Sequence, residues 1–541
     1  MDLNTIEGSF KADRNGKTTF STGGMVSTAF PLASQAGADI LKKGGNAVDA
    51  AVAAAFALSV CEPQASGLGG QTMAVIHING QTISIDGSSR VPSLAQRSCL
   101  AGKETFLGYR ATTVPSTPAV LGYLHLKYGR LSWHSVIEPA VLLAREGYRI
   151  TRMQSRLQER ELSAFINIPS ASGAKFFLKD GEKPFPSGSL FKQPDLFRLL
   201  EFIAEQGPRS FYLGPVAERI DEDMRQNDGF LRAEDLALIP WPVERPVVEG
   251  SYRGLRIATM PPPGAGRALL LVLLMLNNYS GSVLTRQTPD VYHLWCETFR
   301  KAFLQRNQNP VDPNRYLQSP DRTMTDPVFA RKLSQSISSS MDPNLLAQES
   351  MIVGGETTHI SVMDSEDNVV SLSQSIESIY GSKAAAEGLG FMYNNYLNTL
   401  TTRDPSHPYF LRPNAVPWSS VAPAIVFFKG KPWLAVGSPG SDRIYSTIAQ
   451  FLSHIVDGNA TLYEAMKRPR LHCSLGGEVS LEADRFESYV IDHLSNLGYQ
   501  INRRQPYSFY LGAITAVMRC QTRSGYMGVA EIRRDGIAAG V

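Results

Sequence analysis

Thr357 is the residue whose setting most directly suggests chemistry. It follows Gly355-Glu356 and begins a stretch in which Thr358, Ile360 and Val362 alternate with more polar neighbours. If the peptide bond after Glu356 is cut, Thr357 carries both a nucleophilic Oγ and a free α-amine that can serve as its base. The sequence therefore suggests a threonine nucleophile created by cleavage at the processing site Glu356–Thr357.

Other catalytic patterns are poorly supported. The nine histidines form no HExxH motif and do not cluster with cysteines at ligand spacing, so we expect no metal and no other cofactor. Ser438, in GSPG, is not in a GxSxG elbow. The backbone N–H groups of Gly440 and Ser441, just before a predicted helix, are suited to holding an oxyanion, although a plain helix cap would look the same.

The elements around Thr357 form a predicted β-hairpin. Residues 358–363 alternate with period two, residues 365–368 form a turn, and residues 369–376 return as a second strand. This hairpin brings Ser375 beside Thr357. Residues 307–356 before it are rich in Pro, Asp, Ser and Gln, and they predict a mobile surface linker suited to cleavage.

Elsewhere the pattern predicts mainly helices and short strands. Residues 31–60 predict two helices broken at Gly44-Gly45, residues 115–245 are mostly helical, and residues 444–456 form one more helix. The glycine-rich stretch 61–70 precedes a strand rather than following one. It therefore favours a tight turn over a phosphate-binding loop.

Bulk properties exclude several classes of protein. The chain has 541 residues, 43% hydrophobic and 19% charged, and a net charge of +3, which indicates a globular protein without nucleic acid or an acidic membrane as partner. Five scattered cysteines argue against a disulfide framework. Residues 1–17 lack a signal pattern, and the apolar stretch 47–60 is too short to span a bilayer. We therefore expect a cytoplasmic location.

Taken together, the motifs resemble those of the γ-glutamyltranspeptidase family of N-terminal nucleophile hydrolases. The resemblance covers nearly the whole chain, and its matching stretches lie in family order: residues 23–26, 40–51, 63–70, 260–263, 357–362, 394–395, 419–420 and 437–440. It implies an αββα sandwich of the α/β (α+β) class. It also implies self-cleavage into a large fragment, 1–356, and a small fragment, 357–541. The two fragments stay together as a heterodimer, and the resemblance allows two such heterodimers to form a dimer.

The resemblance also implies roles for individual residues. Thr357 attacks an amide and its own α-amine is the base. Ser375 matches a hydroxyl residue, usually threonine, that supports the nucleophile and its processing. Gly440 and Ser441 match the oxyanion-hole pair, although the family usually has glycine at the second position.

The predicted substrate pocket departs from the family in one respect. The residues matched to carboxylate recognition are all present, namely Arg90, Ser419 and Ser420, and Thr358 adjoins the nucleophile. Of the three residues matched to ammonium recognition, only an acid remains, because the positions hold Glu377, Tyr396 and Thr399. An ammonium without partners is costly to bury, so the pocket favours an acyl group that lacks an α-amine.

These departures predict a small carboxylate-bearing amide as substrate, with oxamate, hydrolysed to oxalate and ammonia, as the first choice. Tyr380 and Tyr396 would narrow the pocket, which favours so small a substrate. A glutaryl-type acylase and a γ-glutamyltransferase or glutathione hydrolase are the alternatives, the latter if Asp404 supplies a displaced carboxylate. An unprocessed, non-catalytic binding protein is a further alternative.

Overall fold

The computed structural model of the chain describes residues 1–8, 16–96, 106–315, 322–343 and 355–541. Its strands, in chain order, are β1 Thr18–Ser21, β2 Gly24–Ser27, β3 Gln71–Ile78, β4 Gln81–Gly87, β5 Tyr148–Arg149, β6 Leu190–Phe191, β7 Val243–Arg245, β8 Val248–Tyr252, β9 Leu255–Thr259, β10 Glu356–Asp364, β11 Val369–Glu377, β12 Ala424–Phe428, β13 Lys431–Gly437, β14 Leu471–Cys473, β15 Glu478–Glu482, β16 Gln500–Arg504, β17 Thr515–Arg519, β18 Tyr526–Ala530 and β19 Ala538–Gly540.

The α-helices lie mostly before β10 and after β13. They are α1 Leu3–Glu7, α2 Pro31–Lys42, α3 Ala47–Cys61, α4 Thr117–Tyr128, α5 Trp133–Glu146, α6 Arg152–Ile166, α7 Ser172–Phe177, α8 Pro194–Gln206, α9 Pro215–Gln226, α10 Ala233–Ala237, α11 Gly266–Leu276, α12 Gly281–Leu284, α13 Pro289–Gln308, α14 Pro327–Gln335, α15 Ile444–Val456, α16 Leu462–Lys467 and α17 Ser488–Asn496.

Two seven-stranded antiparallel sheets form the centre of the molecule. Sheet 1 has the order β1-β18-β17-β13-β12-β9-β8, and sheet 2 has the order β19-β2-β10-β11-β3-β4-β7. Alternate residues of each strand point to opposite faces, so both faces of each sheet can be buried. Val75 of β3 packs between the sheets, together with Ile425 of β12 and Val517 of β17.

Helices cover the outer face of each sheet. Apolar residues of α2 and α3 pack with Ile360 and Val362 of β10 on the outside of sheet 2. Helices α11, α13 and α15 pack with strands of sheet 1 on the other side. The layers are therefore helix, sheet, sheet and helix, and the predicted αββα sandwich is confirmed.

Helix α3 shows why this layering suits the sequence. All of its residues are buried, and seven of the fifteen in AVDAAVAAAFALSVC are alanines, whose small side chains let a helix lie close to the sheet. Asn46 caps its first turn and Asp49 closes a capping box, which satisfies backbone N–H groups that the helix leaves free. The predicted break at Gly44-Gly45 separates α2 from α3 as expected.

The hairpin β10–β11 carries the predicted nucleophile into the middle of sheet 2. Its register pairs Thr358 with Gln374 and Glu356 with Glu377, so two residues, Ser375 and Ile376, face the single residue Thr357. This irregularity is a β-bulge, which re-aims side chains where it occurs. Helix α14 falls within the predicted linker, whereas residues 316–321 and 344–354 of that linker lie outside the described residues.

Candidate active site

Thr357 is buried at the bulge and its hydroxyl begins a short hydrogen-bond chain. Thr357 Oγ1 donates to Ser375 Oγ at 3.2 Å, and Ser375 Oγ donates to the carbonyl oxygen of Glu356 at 2.8 Å. The backbone N–H of Glu377 donates to the same Ser375 oxygen at 2.9 Å. Ser375 therefore contacts both the predicted nucleophile and the carbonyl of the bond predicted to be cut.

The bulge is held in place by a close backbone approach from the glycine-rich stretch 61–70. A side chain at Gly70 would overlap the carbonyl oxygen of Ser375, so only glycine fits there without displacing β11. This close approach explains the glycine at position 70. The sequence-based preference for a tight turn agrees with the structure.

Gly440 and Ser441 lie at the start of a 3₁₀ turn, Ser441–Arg443, that runs into α15. Gly440 has φ 125° and Ser441 has φ 52°, both in the region that favours glycine. The serine found where the family usually has glycine thus keeps a left-handed backbone. The turn places these two N–H groups at a helix N-terminus, where partial positive charge favours an anion.

The residues before the predicted cleavage site cover two predicted site residues. A side chain at Gly355 would meet the Oε1 of Glu377 at 3.1 Å and the Cβ of Ser441 at 3.3 Å. The uncut chain therefore lies between the candidate oxyanion residue and the candidate recognition acid. Removal of this segment would expose both.

Glu377 is the most perturbed acid of the predicted pocket. Burial, followed by the neighbouring Asp442 carboxylate, raises its pKa from the ordinary 4.5 to about 8. Its Oε1 is buried and has no hydrogen-bond partner among the described residues. The carboxyl is thus largely protonated at neutral pH and lacks a partner on one oxygen.

Tyr396 and Thr399 lie on the 3₁₀ turn Tyr396–Thr399, which Asn394 holds in place. The Asn394 Oδ1 accepts from the N–H of Tyr396 at 3.1 Å, and its Nδ2 donates to the Gly69 carbonyl at 2.7 Å. The Tyr396 hydroxyl interacts with Ser375, and burial raises the pKa of the tyrosine. The Thr399 hydroxyl donates to the Tyr396 carbonyl at 2.9 Å.

Ser419 and Ser420 lie beside a buried arginine that sequence patterns did not single out. Arg306 donates to the carbonyl oxygen of Ser419, and burial lowers the pKa of Arg306 to about 10. Ser420 Oγ donates to Asp442 at 3.0 Å, whereas Ser419 Oγ is buried and has no partner in the described part of the chain. The Ser-Ser pair therefore has one engaged hydroxyl and one free hydroxyl.

Arg90 follows β4 and lines a cavity of about 490 Å³ with residues that include Trp241 and Asn414. Burial lowers the pKa of this guanidinium. Its neighbour Ser89 accepts from Thr113 and contacts Gln71, which in turn interacts with Tyr396. This polar network joins the Arg90 loop to the Tyr396 turn.

Two further predicted contacts have a clear place in the structure. Thr358 Oγ1 is buried without a hydrogen-bond partner in the described ranges, and it lies beside the carboxyl of Glu62. Asp404 is exposed and accepts from the Ser406 hydroxyl at 2.7 Å. The structure thus leaves Asp404 on a surface turn, so it gives no support for a displaced carboxylate in the pocket.

His359 lies two residues after Thr357 but has a structural role. Its Nδ1 is 2.8 Å from Ser373 Oγ and its Nε2 is 3.2 Å from Ser371 Oγ, and burial lowers its pKa to about 3. The ring is therefore neutral between the sheets. A side chain at Gly437 would overlap it, which explains the glycine there.

Three residues near the site escaped sequence reasoning: Glu62, Arg306 and Arg534. Glu62 lies in the glycine-rich stretch, and burial raises its pKa to about 8. Arg534 pairs with Glu356 over a Nη2–Oε1 distance of 2.7 Å. Their positions in the sequence carry no local signal for a role at Thr357. Their proximity arises only from the packing of distant segments.

Comparisons with known proteins identify the same family as the sequence motifs. The profile of the Gamma-glutamyltranspeptidase family matches residues 33–541. The glutathione hydrolase proenzyme of Escherichia coli (strain K12) is 32% identical over 476 residues, which cover 83% of this chain and 80% of that protein. The acylase ACY 1 proenzyme of Pseudomonas sp. (strain V22) is 31% identical over 497 residues, covering 89% and 87% of the two chains.

A solved structure resembles the whole fold. The crystal structure of cephalosporin acylase from Bacillus halodurans superposes with a TM-score of 0.88 at 26% identity, and the match covers 99% of this chain and 98% of that one.

Among the described residues, no helix is both long and apolar enough to cross a membrane.

Proposed function

Because this chain belongs to the gamma-glutamyltranspeptidase family of N-terminal nucleophile hydrolases, we propose that it cuts itself at Glu356–Thr357 and then hydrolyses amides with Thr357. The observation that carries the proposal is the position of Ser375. Its Oγ lies 3.2 Å from the Thr357 hydroxyl and 2.8 Å from the Glu356 carbonyl oxygen. A hydroxyl in this position can polarise the carbonyl while it accepts a hydrogen bond from the nucleophile.

Self-cleavage proceeds in two steps. Thr357 Oγ attacks the carbonyl carbon of Glu356, the C–N bond to Thr357 breaks, and the Oγ proton passes to the departing nitrogen. Water then hydrolyses the resulting ester, which regenerates the Thr357 hydroxyl and leaves a carboxylate on Glu356. The products are a free α-amine on Thr357 and the fragments 1–356 and 357–541.

The sheets support a lasting association of the two fragments. In sheet 2, β10 of the small fragment pairs with β2 of the large fragment, and β11 pairs with β3. In sheet 1, β12 pairs with β9. Separation would break these hydrogen-bonded ladders and expose both cores, so we expect the cleaved protein to remain a heterodimer.

Catalysis on a substrate repeats the first step with a different carbonyl. The α-amine of Thr357 takes the Oγ proton as Oγ attacks, and the N–H groups of Gly440 and Ser441 stabilise the oxyanion. The leaving amine departs with the proton, and water hydrolyses the acyl-enzyme. One well-placed oxyanion donor typically contributes about 3 kcal/mol to the transition state.

For the acyl group, the γ-glutamyl group of small peptides is our first choice. The supporting observation is Glu377, whose buried Oε1 lacks a partner among the residues described here. An α-ammonium group beside it would supply the missing donor and let the carboxyl ionise. Arg90, Ser419 and Ser420 remain the proposed partners of the substrate carboxylate, with Thr358, Tyr396 and Thr399 as further contacts.

A glutaryl-type acyl group, which has no α-amine, is the second candidate. Thr399 favours it, because its hydroxyl already donates to the Tyr396 carbonyl and carries no charge to hold an ammonium. The similarity to two acylases points the same way. Oxamate, the first choice from sequence alone, now ranks third, because the relatives are a glutathione hydrolase and acylases.

A matched pair of substrates tests this choice. Glutaryl-p-nitroanilide differs from γ-glutamyl-p-nitroanilide only in the α-amine, so their kcat/KM ratio reports recognition of that group. We expect the cleaved protein to favour the γ-glutamyl compound by about tenfold or more, since an unmade hydrogen bond to a charged group costs about 1–3 kcal/mol. Glu377→Gln should reduce this ratio.

Equal or reversed rates would support the acylase instead, and faster turnover of oxamate than of both anilides would restore the oxamate hypothesis. A single band near 59 kDa on a denaturing gel, with no fragments, would argue against self-cleavage altogether.

A cytoplasmic location is part of the proposal. Cys61, Cys296, Cys473 and Cys520 are free and buried in the structure, which suits a reducing compartment. Recovery of the native protein only from an oxidising compartment after cell fractionation would contradict it.

A further inference from the structure

The residue on the acyl side of the predicted cut is held by its side chain as well as by its carbonyl. Glu356 Oε1 lies 2.7 Å from Arg534 Nη2, and the two side chains are only 3% and 1% exposed. A glutamate next to a cleavage site in a surface linker would ordinarily point into water. Here it is buried in an ion pair with a residue 178 positions away.

Arg534 is itself fixed by contacts independent of Glu356. Its Nη1 donates to the Phe509 carbonyl at 3.1 Å, and its guanidinium lies 3.3 Å from the centre of the Phe509 ring. Lys17 Nζ donates to the backbone carbonyl of Arg534 at 2.7 Å. These contacts hold the guanidinium in place independently of Glu356.

Glu356 is therefore clamped at two points. Arg534 holds the carboxylate, and Ser375 holds the carbonyl oxygen at 2.8 Å. Attack by Thr357 Oγ requires the carbonyl carbon to stay within reach and correctly turned, and small misplacements slow such reactions strongly. The side-chain clamp limits rotation of the residue that carries this carbonyl.

We propose that Arg534 is a positioning residue for self-cleavage, which pins Glu356 so that its carbonyl stays against Ser375, and that Glu62 becomes the partner of Arg534 once Glu356 is released. This inference rests on the proposed cleavage at Glu356–Thr357. It adds a residue that touches neither the nucleophile nor the substrate.

Glu62 is placed to take over the ion pair. It is buried, it interacts electrostatically with both Arg534 and Glu356, and its Oε2 has no hydrogen-bond partner in the described residues. While Glu356 is present, the two acids repel each other, and burial together with this repulsion raises the pKa of Glu62. Once the Glu356 carboxylate leaves, Arg534 would be a buried cation without its partner, and ionised Glu62 would replace it.

The test follows the full-length chain during cell-free synthesis, with the appearance of fragments measured on denaturing gels and the cut located by mass spectrometry. We expect Arg534→Gln and Glu356→Gln each to slow cleavage by about 10- to 100-fold. The double variant should be no slower than the slower single variant, because both changes remove one contact. Arg534→Lys should recover part of the rate.

Arg485→Gln is the matched control. Arg485 also pairs with a glutamate, Glu482, and also stacks on an aromatic ring, that of Tyr507, but it does not hold the scissile residue. The Arg485→Gln chain should cleave at the rate of the unchanged chain. The positioning role of Arg534 would be overturned if Arg534→Gln and Glu356→Gln each cleaved within twofold of the rate of the unchanged chain. It would also be overturned if their two effects on the cleavage rate multiplied in the double variant.

Thermal midpoints separate positioning from folding and test Glu62. In the uncleavable Thr357→Ala background, Arg534→Gln should fold cooperatively, so that slow cleavage is not explained by an unfolded chain. If it does not fold, the Glu356→Gln and Glu356→Asp rates decide the question. Glu62→Gln should lower the midpoint of the cleaved protein more than that of the Thr357→Ala chain, and equal shifts would refute the partner exchange.

The outcomes also distinguish this inference from the proposed function. If the unchanged chain does not cleave, or cleaves at another bond, the proposed function fails. If it cleaves at Glu356–Thr357 and the Arg534 and Glu356 variants do so at the same rate, only this inference fails.

Discussion

The cleavage region and the recognition region differ in whether their buried polar groups have hydrogen-bond partners. The cleavage region comprises Glu356, Thr357, Ser375 and Arg534. The recognition region comprises Thr358, Glu377, Ser419 and Arg306. In the cleavage region, the Thr357 hydroxyl, the Ser375 hydroxyl and the Glu356 carboxylate all have partners. In the recognition region, one polar atom of each residue is buried without a hydrogen-bond partner in the described chain: Thr358 Oγ1, Glu377 Oε1, Ser419 Oγ and Arg306 Nη1.

This contrast separates the two proposed functions, self-cleavage and substrate recognition, which share Thr357 as the proposed nucleophile. An unsatisfied buried polar group costs about 1–3 kcal/mol, so the recognition region is a place where folding is less favourable than it could be. A bound ligand can supply the missing partners of such groups. The cleavage region needs no ligand, because its substrate is the chain itself.

The largest expected effect is the loss of Thr357, the proposed nucleophile of both self-cleavage and substrate hydrolysis. Thr357→Ala should abolish self-cleavage and lower hydrolysis by more than about 10³-fold, since Ser375, the other hydroxyl in the hydrogen-bond chain, donates to the carbonyl oxygen and gains no free α-amine on cleavage. Denaturing gels and p-nitroanilide release measure the two effects. Thr357→Ser, which keeps the hydroxyl, is the control and should still cleave. Fragments of unchanged size from Thr357→Ala would show that another residue, or a contaminating protease, makes the cut.

The second prediction concerns the recognition region and pH. Glu377 has a pKa of about 8 in the folded chain against an ordinary 4.5, so the folded state binds more protons between these values. Its contribution to the free energy of unfolding is fully present below about pH 4.5, falls as pH rises, and is lost above about pH 8. The slope for one such group is at most about 1.4 kcal/mol per pH unit.

Glu377→Gln should therefore flatten the decline of stability between pH 5 and 8, measured by urea unfolding of the Thr357→Ala chain. Exposed Glu366 provides the control. Its pKa is lowered by hydrogen bonding to Arg130, so its contribution to stability is constant between pH 5 and 8 and is lost only at acid pH. Glu366→Gln should therefore leave the slope of stability against pH unchanged in this range. If the free energy of unfolding falls in parallel with pH for Glu377→Gln and for the chain that keeps Glu377, then Glu377 ionises with an ordinary pKa.

The sequence predicted the hairpin, the helix break at Gly44-Gly45 and the placement of Ser375 beside Thr357, because each depends on local periodicity, turn residues or motifs. The αββα layering followed from the family resemblance. What the sequence could not provide were contacts between distant segments. The Arg534–Glu356 pair and the Glu62 carboxyl beside Thr358 arise only when the C-terminal segment and the 61–70 turn pack around β10. Nor did composition reveal the bulge at Thr357, which depends on how β11 pairs with its neighbours.

The third prediction tests whether the turn before α15 forms the oxyanion site. Ser441 has φ 52°, a conformation that β-branched residues strongly disfavour, at a cost of about 1–3 kcal/mol. Ser441→Val should lower kcat by about 10- to 100-fold by displacing the oxyanion N–H groups, while KM changes little. Ser441→Gly should retain activity. Equal rates for the valine and glycine variants would place the oxyanion site elsewhere.

The smallest effect separates two neighbouring serines, of which Ser420 has a hydroxyl partner and the more buried Ser419 has none in the described chain. Ser420→Ala removes the hydrogen bond to Asp442, so it should cost about 1 kcal/mol of unfolding free energy. Ser419→Ala removes a hydroxyl without a partner in the described chain, so it should leave stability unchanged or slightly raised. If Ser419 serves recognition, its alanine variant should instead raise KM, as measured with γ-glutamyl-p-nitroanilide. A Ser419→Ala variant that is less stable than Ser420→Ala would show that the contrast between the two regions does not extend to this pair.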